Sequence, residues 1–287
     1  MPIDVDSVCG ASLEERRNSW GPTDVILYHL GLGAGARATD PAELSYVYEE
    51  ALQVLPSFGV IPAFPMLWDM LRLPGMDVDL TKILHGEQEL ELHAALPVRG
   101  DVRTTAFISE VSDKGKAALV VLEAVTRDAA TDQRLVTNRF SAFIRGEGGF
   151  GDGDRSRATP PPPAAPVGPP AVEVECQTLP QQALLYRLSG DMNPIHADPA
   201  FARKGGFDRP ILHGLCSYGM VCKAVVDAVL DGDVGRVGRY RARFAGVVFP
   251  GETIIVRIWR ESDVVFVEAL CKERGTPVLS NAVIETR

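Results

Sequence analysis

Residues 250–285 read PGETIIVRIWRESDVVFVEALCKERGTPVLSNAVIE, and residues 99–145 read RGDVRTTAFISEVSDKGKAALVVLEAVTRDAATDQRLVTNRFSAFIR. In the later stretch IIVRIW and VVFVEAL are runs of apolar β-formers and ERGTP supplies turn residues, so three strands separated by turns are expected. The earlier stretch has the same order. A Gly–acid pair opens it, DKG makes a tight turn, and strand-like runs surround a polar DAATDQ loop. Each stretch is preceded by an apolar segment with helical spacing. Between His213 and Leu230, the residues Leu215, Gly219, Cys222, Val225, Val226 and Val229 recur at three- and four-residue intervals, and Gly232 stands where a C-cap glycine belongs. The counterpart in the first half is ELSYVYEEALQVLPSF, residues 43–58, ended by Pro56. One duplicated unit of helix and antiparallel sheet accounts for this order; two unrelated α+β domains is the alternative.

Between the halves, residues 146–170 read GEGGFGDGDRSRATPPPPAAPVGPP, too rich in glycine and proline for a helix or a central strand. The glycines predict a flexible first part and the prolines an extended, semi-rigid second part. The expected units are therefore 1–145 and 171–287, joined by a linker. The chain has 287 residues, 46% hydrophobic and 23% charged, with a formal charge of −9 from 29 basic and 38 acidic residues. That balance carries no general nucleic-acid footprint, although a local basic patch is compatible with a phosphorylated ligand. The five cysteines are odd in number and match no paired ligand spacing, which fits a reducing compartment. MPIDVDSVCG lacks a basic region followed by an apolar run, NAVIETR is not a Ser-Lys-Leu signal, and no apolar run has the roughly 18 residues a membrane span needs. Cytoplasm is the expected compartment.

Chemistry concentrates in ALLYRLSGDMNPIHADPAFARKGGFDRPILHGLCSYGM, residues 183–220. Asp191, Asn193 and His196 fall within six residues, and Gly214 opens the helix that follows. A carboxylate and an imidazole brought together can share a water molecule, one taking its proton while the other gives a proton to carbon. Pro194 holds Asn193 extended and stiffens the loop. A glycine at the positive end of a helix lets a thioester carbonyl approach the backbone N–H closely, making an oxyanion site. On spacing alone, a second reading stays open: a surface turn, with Asp191 and Asn193 capping backbone and His196 merely solvated. A metal site is disfavoured because His196 and His213 are far apart in sequence and no other ligand stands at a usual spacing.

The same stretch closely resembles the hydratase 2 motif of the MaoC-like (R)-specific enoyl-CoA hydratases. It is similar to the hydratase region of peroxisomal multifunctional enzyme type 2 and to single-function actinobacterial relatives. The resemblance runs over nearly the whole chain. DVILYHLGLGAG, TKILHGEQELEL, SDKGKAALVV, RGEGGFGD, ARFAGVVFPGET and LSNAVI follow in the family's order. It implies an α+β, double hot-dog fold, in which each half wraps an antiparallel sheet around a central helix. It also implies reversible syn hydration of trans-2-enoyl-CoA to the (3R)-hydroxyacyl-CoA, with no metal, no cofactor beyond the substrate's coenzyme A, and a homodimer as the expected assembly.

By match to the motif, Asp191 and His196 are the acid/base pair, Asn193 positions them, and Gly214 donates to the thioester oxygen. Substrate contacts are implied at His85 and Gly86 of LHGEQ, at Lys114, at Met192, Pro194 and Ile195 within the motif, and at Phe244 of ARFAG. Lys114 also reads as an ordinary turn lysine, and Phe244 as plain core. Met192 departs from the bulkier aromatic of the multifunctional enzymes, which predicts tuning at most. Other hot-dog thioester chemistry, acyl-carrier-protein dehydration or thioester hydrolysis, is the nearest competing activity. A non-catalytic acyl-CoA-binding subunit would carry a broken motif, and this one is intact. The first half has no DxNPxH counterpart, so one active site per chain is expected. Its segment VLPSFGVIPAFPMLW, residues 54–68, is apolar but interrupted by Pro56, Pro62 and Pro65, and is expected to house the distal acyl chain; the alternative is that these residues simply close the core under a loop.

Overall fold

The computed structural model describes residues 3–79, 82–151, 155, 163 and 165–287. The first half comprises α1 (Val5–Val8), β1 (Arg16–Trp20), α2 (Pro22–Gly31), α3 (Pro41–Val47), α4 (Pro65–Met70), β2 (Ile83–Leu92), β3 (Gly100–Asp113), β4 (Ala117–Asp128) and β5 (Arg134–Arg145). The second comprises β6 (Val172–Gln177), α5 (Gln182–Tyr186), α6 (Pro199–Lys204), α7 (Gly214–Val229), β7 (Val237–Phe244), β8 (Thr253–Glu261), β9 (Val264–Cys271) and β10 (Pro277–Thr286).

The strands form one ten-stranded antiparallel sheet in the order β1-β3-β4-β5-β2-β7-β10-β9-β8-β6. Outward from the β2–β7 seam, each half presents its second, fifth, fourth, third and first strand. The two halves thus repeat one topology, as the similar strand patterns predict, and together make the double hot-dog arrangement that the family resemblance implies.

The helix predicted from His213 is α7, with Leu215, Gly219, Cys222, Val225 and Val226 buried and Val229 at the margin. It ends as expected. Gly232 takes a φ of 73° and its N–H donates to the Val226 carbonyl (3.0 Å), closing the last turn. The same periodicity does not carry through in the first half. There α3 stops at Val47, Tyr48 is extended (φ −121°, ψ 125°), and two short 3-10 turns follow, Glu49–Ala51 and Pro56–Val60. In chain order the counterpart of α7 is instead the proline-broken run from Pro56 to Met70, because each proline removes an N–H donor and ends a turn. These residues nevertheless enter the core, with Phe58, Val60, Ala63 and Met66 buried.

The glycine-rich start of the expected linker is docked rather than loose. Asp113, at the end of β3, accepts hydrogen bonds from the N–H groups of Gly115 (2.7 Å), Gly149 (2.9 Å) and Gly151 (2.7 Å). The prolines expected at 160–162 lie outside the described residues.

Gly219 is where α7 meets the first half. A Cβ there would lie 2.7 Å from Leu32 Cδ2 and 2.8 Å from the Tyr28 hydroxyl oxygen, and both side chains are buried. Gly219→Val should therefore destabilise the fold by about 1–3 kcal/mol through overpacking, a loss that recovers only a few tenths from helix propensity. Chemical denaturation at unchanged m-value checks this, and an unaltered midpoint would refute the packing account.

Candidate active site

The chain leaves α5 through a 3-10 turn, Arg187–Ser189, and reverses at Gly190, whose φ of 120° suits glycine. The next five residues fold on themselves. Asp191 Oδ1 accepts from the N–H of Asn193 (3.2 Å), and Asn193 Oδ1 accepts from the N–H of Ile195 (3.1 Å), opening the 3-10 turn Pro194–His196. The capping expected of a surface turn is thus present, but His196 is not solvated. It is 8% exposed, and its Nδ1–H donates to the Ile211 carbonyl (2.9 Å). A carbonyl can only accept, so the ring's transferable proton belongs to Nε2.

That Nε2 lies 3.9 Å from Asp191 Oδ2. The separation is too long for a direct hydrogen bond but allows one water oxygen about 2.8 Å from each group. Burial pushes the Asp191 carboxyl above its ordinary value and the His196 imidazole below its own, while their mutual attraction opposes both shifts. The carboxyl thus holds its proton more tightly than usual and the imidazole less tightly.

At the start of α7, Gly214 is exposed and carries a first-turn N–H without an intrahelical acceptor. A Cβ at this position would sit 3.0 Å from the Phe244 ring. That ring is half-buried and lies 4.7 Å, centroid to centroid, from His85 on β2. His85 reaches this face through a β-bulge. The register passes from His85↔Ala142 to Glu87↔Ser141, leaving Gly86 as the extra residue and turning His85 to the same side as Gln88. The Nε2 of His85 is buried without a partner among the described residues, and burial lowers the ring's pKa to about 4.

The remaining expected residues spread outward. Pro194 and Met192 are exposed on the loop, and Ile195 is half-buried against Gly205. Lys114 is an exposed turn lysine between β3 and β4. In the sheet order β5 and β2 intervene between β4 and β7, the strand that carries Phe244. The structure therefore groups His85, Asp191, His196, Gly214 and Phe244 and leaves Lys114 apart from them.

One group was missed from the sequence. His213, the residue before Gly214, is fully buried and stacks on His196 with ring centroids 3.7 Å apart. Distance along the chain did not keep the two histidines apart, so that argument against a metal fails. Donor atoms of Asp191, His196 and His213 all lie within 4.8 Å of one another. Stacked rings, however, hold their in-plane lone pairs side by side instead of converging on an ion, and His196 Nδ1 and His213 Nε2 are already engaged with carbonyls. The trio fits proton chemistry better than coordination.

A carboxylate–imidazole pair 3.9 Å apart beside a helix N-terminus, in a double hot-dog, has the geometry for acid–base chemistry on a carbonyl compound. Residues 19–146 match the MFE-2 hydratase 2 N-terminal domain and residues 163–282 the MaoC like domain. The chain belongs to the MaoC-like dehydratases of the hydratase 2 type. It is 45% identical over 285 residues to the enoyl-CoA hydratase ChsH3 of Mycobacterium tuberculosis, covering 99% of this chain and 98% of that protein. It is 38% identical to the peroxisomal enoyl-CoA hydratase 2 of Arabidopsis thaliana, covering 97% of this chain and 94% of that one. The crystal structure of a MaoC-like dehydratase from Phytophthora capsici superposes with a TM-score of 0.88 at 29% identity, over 99% of this chain and 98% of the other.

Asp191→Asn and His196→Gln each remove one of two proton carriers, so each should lower kcat by about 10²–10⁴-fold with an unchanged circular dichroism spectrum. Near-normal turnover by either variant would remove the pair from the mechanism.

Proposed function

We propose that the protein catalyses the reversible syn addition of water to trans-2-enoyl-CoA, giving the (3R)-3-hydroxyacyl-CoA. The observation that carries this reading is the 3.9 Å separation of Asp191 Oδ2 and His196 Nε2, next to the exposed backbone at Gly214. With the thioester oxygen at the Gly214 N–H, charge that develops on the enolate meets a helix N-terminus. The water between the pair gives its proton to one member, its oxygen bonds to the β-carbon, and the other member protonates the α-carbon. The pair begins and ends with one proton, so the step needs no metal and no cofactor other than the substrate's own coenzyme A.

Both groups sit on one loop and act on one face of the double bond, which makes the addition syn. With crotonyl-CoA, enoyl absorbance should fall without release of free thiol, and chiral analysis should return the (3R) product. A (3S) product contradicts this arrangement, and released thiol indicates hydrolysis instead.

The first half is proposed to receive the end of a long or bulky acyl group. Supporting this, Val54 and Pro56 of the proline-broken segment line a partly open pocket of about 170 Å³ with Leu92, Leu96 and Val98, its far side closed by Val234 and Arg287 of the second half. Leu92 is seven residues along β2 from His85, about 23 Å at strand rise, so short acyl chains end well before it. Substrates that fill the cavity gain about 0.8 kcal/mol for each methylene removed from water. In Val54→Trp, kcat/KM should fall for long-chain and steroid side-chain substrates while C4 is unaffected. An equal effect at every length, or a preference for C4 over all longer chains, defeats the proposal. Among the described residues no helix is long and apolar enough to cross a membrane, and a cytoplasmic homodimer completes the proposed setting.

A further inference from the structure

The far end of the Asp191 loop is tied to Ile211 through His196 Nδ1 and the Ile195 carbonyl, whereas its near end is held mostly by itself. Its Asx turns bond Asp191 to Asn193 and Asn193 to Ile195, and the Arg187 guanidinium that donates to the Met192 carbonyl (3.3 Å) belongs to the turn just before it. Among the described residues, one hydrogen bond ties the Asp191 backbone to an element outside this loop. It joins the Asp191 carbonyl to His213 Nε2 at 3.1 Å. The carbonyl can only accept, so Nε2 carries the hydrogen and His213 Nδ1 carries a lone pair. That Nδ1 is buried and without a partner among the described residues. A proton there would be a buried donor with nothing to receive it, which is costly.

His213 caps α7 and packs its other face near Tyr186, with ring centroids 5.0 Å apart. The ring is therefore wedged between α5 and the catalytic loop, its face laid on His196 at an interplanar angle of 25°. We propose that His213 is a positioning residue for hydration: its Nε2–H fixes the Asp191 carbonyl, and its ring face shields His196 from solvent. It touches neither substrate nor water in this role. It acts through the two residues that do, and the inference rests on Asp191 and His196 being the working pair.

The charged groups that face His196 are Asp191, 3.9 Å away, Arg187 on the preceding turn, and His213 itself were it protonated. Burial, followed by the nearby His196, holds the His213 pKa down at about 2, so at working pH it adds no positive charge beside its neighbour. His196, held low chiefly by burial, consequently depends on this neutral cover. Removing the ring admits water, relieves the burial penalty, and raises the His196 pKa.

Two substitutions separate the two roles. His213→Phe keeps an aromatic face on His196 and removes the donor. His213→Gln places an amide N–H near the old Nε2 and removes the face. In His213→Phe, kcat for crotonyl-CoA should fall by about 10–10²-fold as the carboxylate drifts from its place, with KM changed by less than about threefold and the His196 titration not raised. In His213→Gln, kcat should recover toward wild type relative to the Phe variant, while the His196 ring resonances titrate at a higher pH.

The titration is read by NMR on the isotope-labelled full chain and needs no turnover. A shift in His213→Gln supports the shielding role even if Asp191→Asn shows that the pair reading is wrong. If the two variants lose kcat alike and neither moves the His196 titration, His213 is a packing residue only and the proposal fails. If His213→Phe does not fold, the proposal stands or falls on His213→Gln: an unshifted His196 titration overturns it.

Discussion

The β2–β7 seam makes one protein of two halves. Glu87, Glu89 and Glu91 on β2 stand opposite Arg243, Arg241 and Arg239 on β7, alternating with residues that face the helices. The acid–base ladder opposes a slip of one residue, which would turn every charge inward. Arg239 Nη2 reaches Glu89 Oε1 at 2.7 Å, partly exposed, and such pairs contribute modestly to stability. Their larger effect is on alignment. The seam fixes where His85 of the first half lies relative to Phe244 of the second, and Phe244 in turn rests against Gly214. If β7 slipped along β2, the catalytic end of α7 would lose its floor.

Around α7 the interior is used for electrostatics as much as for packing. The helix is buried along nearly its whole length, and its N-terminus is placed at the edge of this apolar surrounding beside three histidine rings. Low polarity disfavours the charged form of every titratable group, so His85 and His213 stay neutral and Asp191 binds its proton more tightly. Each ring nitrogen that donates to a carbonyl also fixes a tautomer. The site thereby defines which nitrogen can move a proton before any substrate arrives, the preorganisation on which acid–base catalysis depends.

Much of this was legible in the sequence where the signal is local. The strand patterns, the spacing of α7, its C-terminal glycine and the DxNPxH loop are each set by residues within a few positions of one another. What was not legible depends on pairing across the chain. The stack of His213 on His196 joins residues 17 positions apart, and their sequence separation was wrongly taken to keep them from one another. The seam ladder joins GEQELEL to RYRARF, alternations that read only as two separate strands until the register is known. The helix expected over residues 43–58 failed for a different reason. Its apolar positions do follow helical spacing, but Tyr46 donates to Asp227 and Glu43 pairs with Lys223, both on α7. These tertiary bonds are made by a short α3 that ends before Tyr48, and they override the periodicity.

Duplication explains the topology but not why one half kept the chemistry. Between β1 and the proline-broken run, the first half has α2 and α3 where the second has the catalytic loop. Those helices now support the loop instead of competing with it. The carbonyl of Gly31, at the end of α2, accepts from Gln182 Nε2 (2.5 Å) and from the Cys216 thiol (3.3 Å), joining α2 to both α5 and α7. A Cβ on Gly31 would lie 3.2 Å from the Tyr186 backbone, so α2 packs on α5 at backbone distance. Because α5 leads through a single 3-10 turn into Gly190 and Asp191, the first half helps to position the carboxylate of a loop that belongs to the second. Its broken helix can then remain irregular without cost to the site, since the rigidity that catalysis requires is supplied by α2, α7 and the seam.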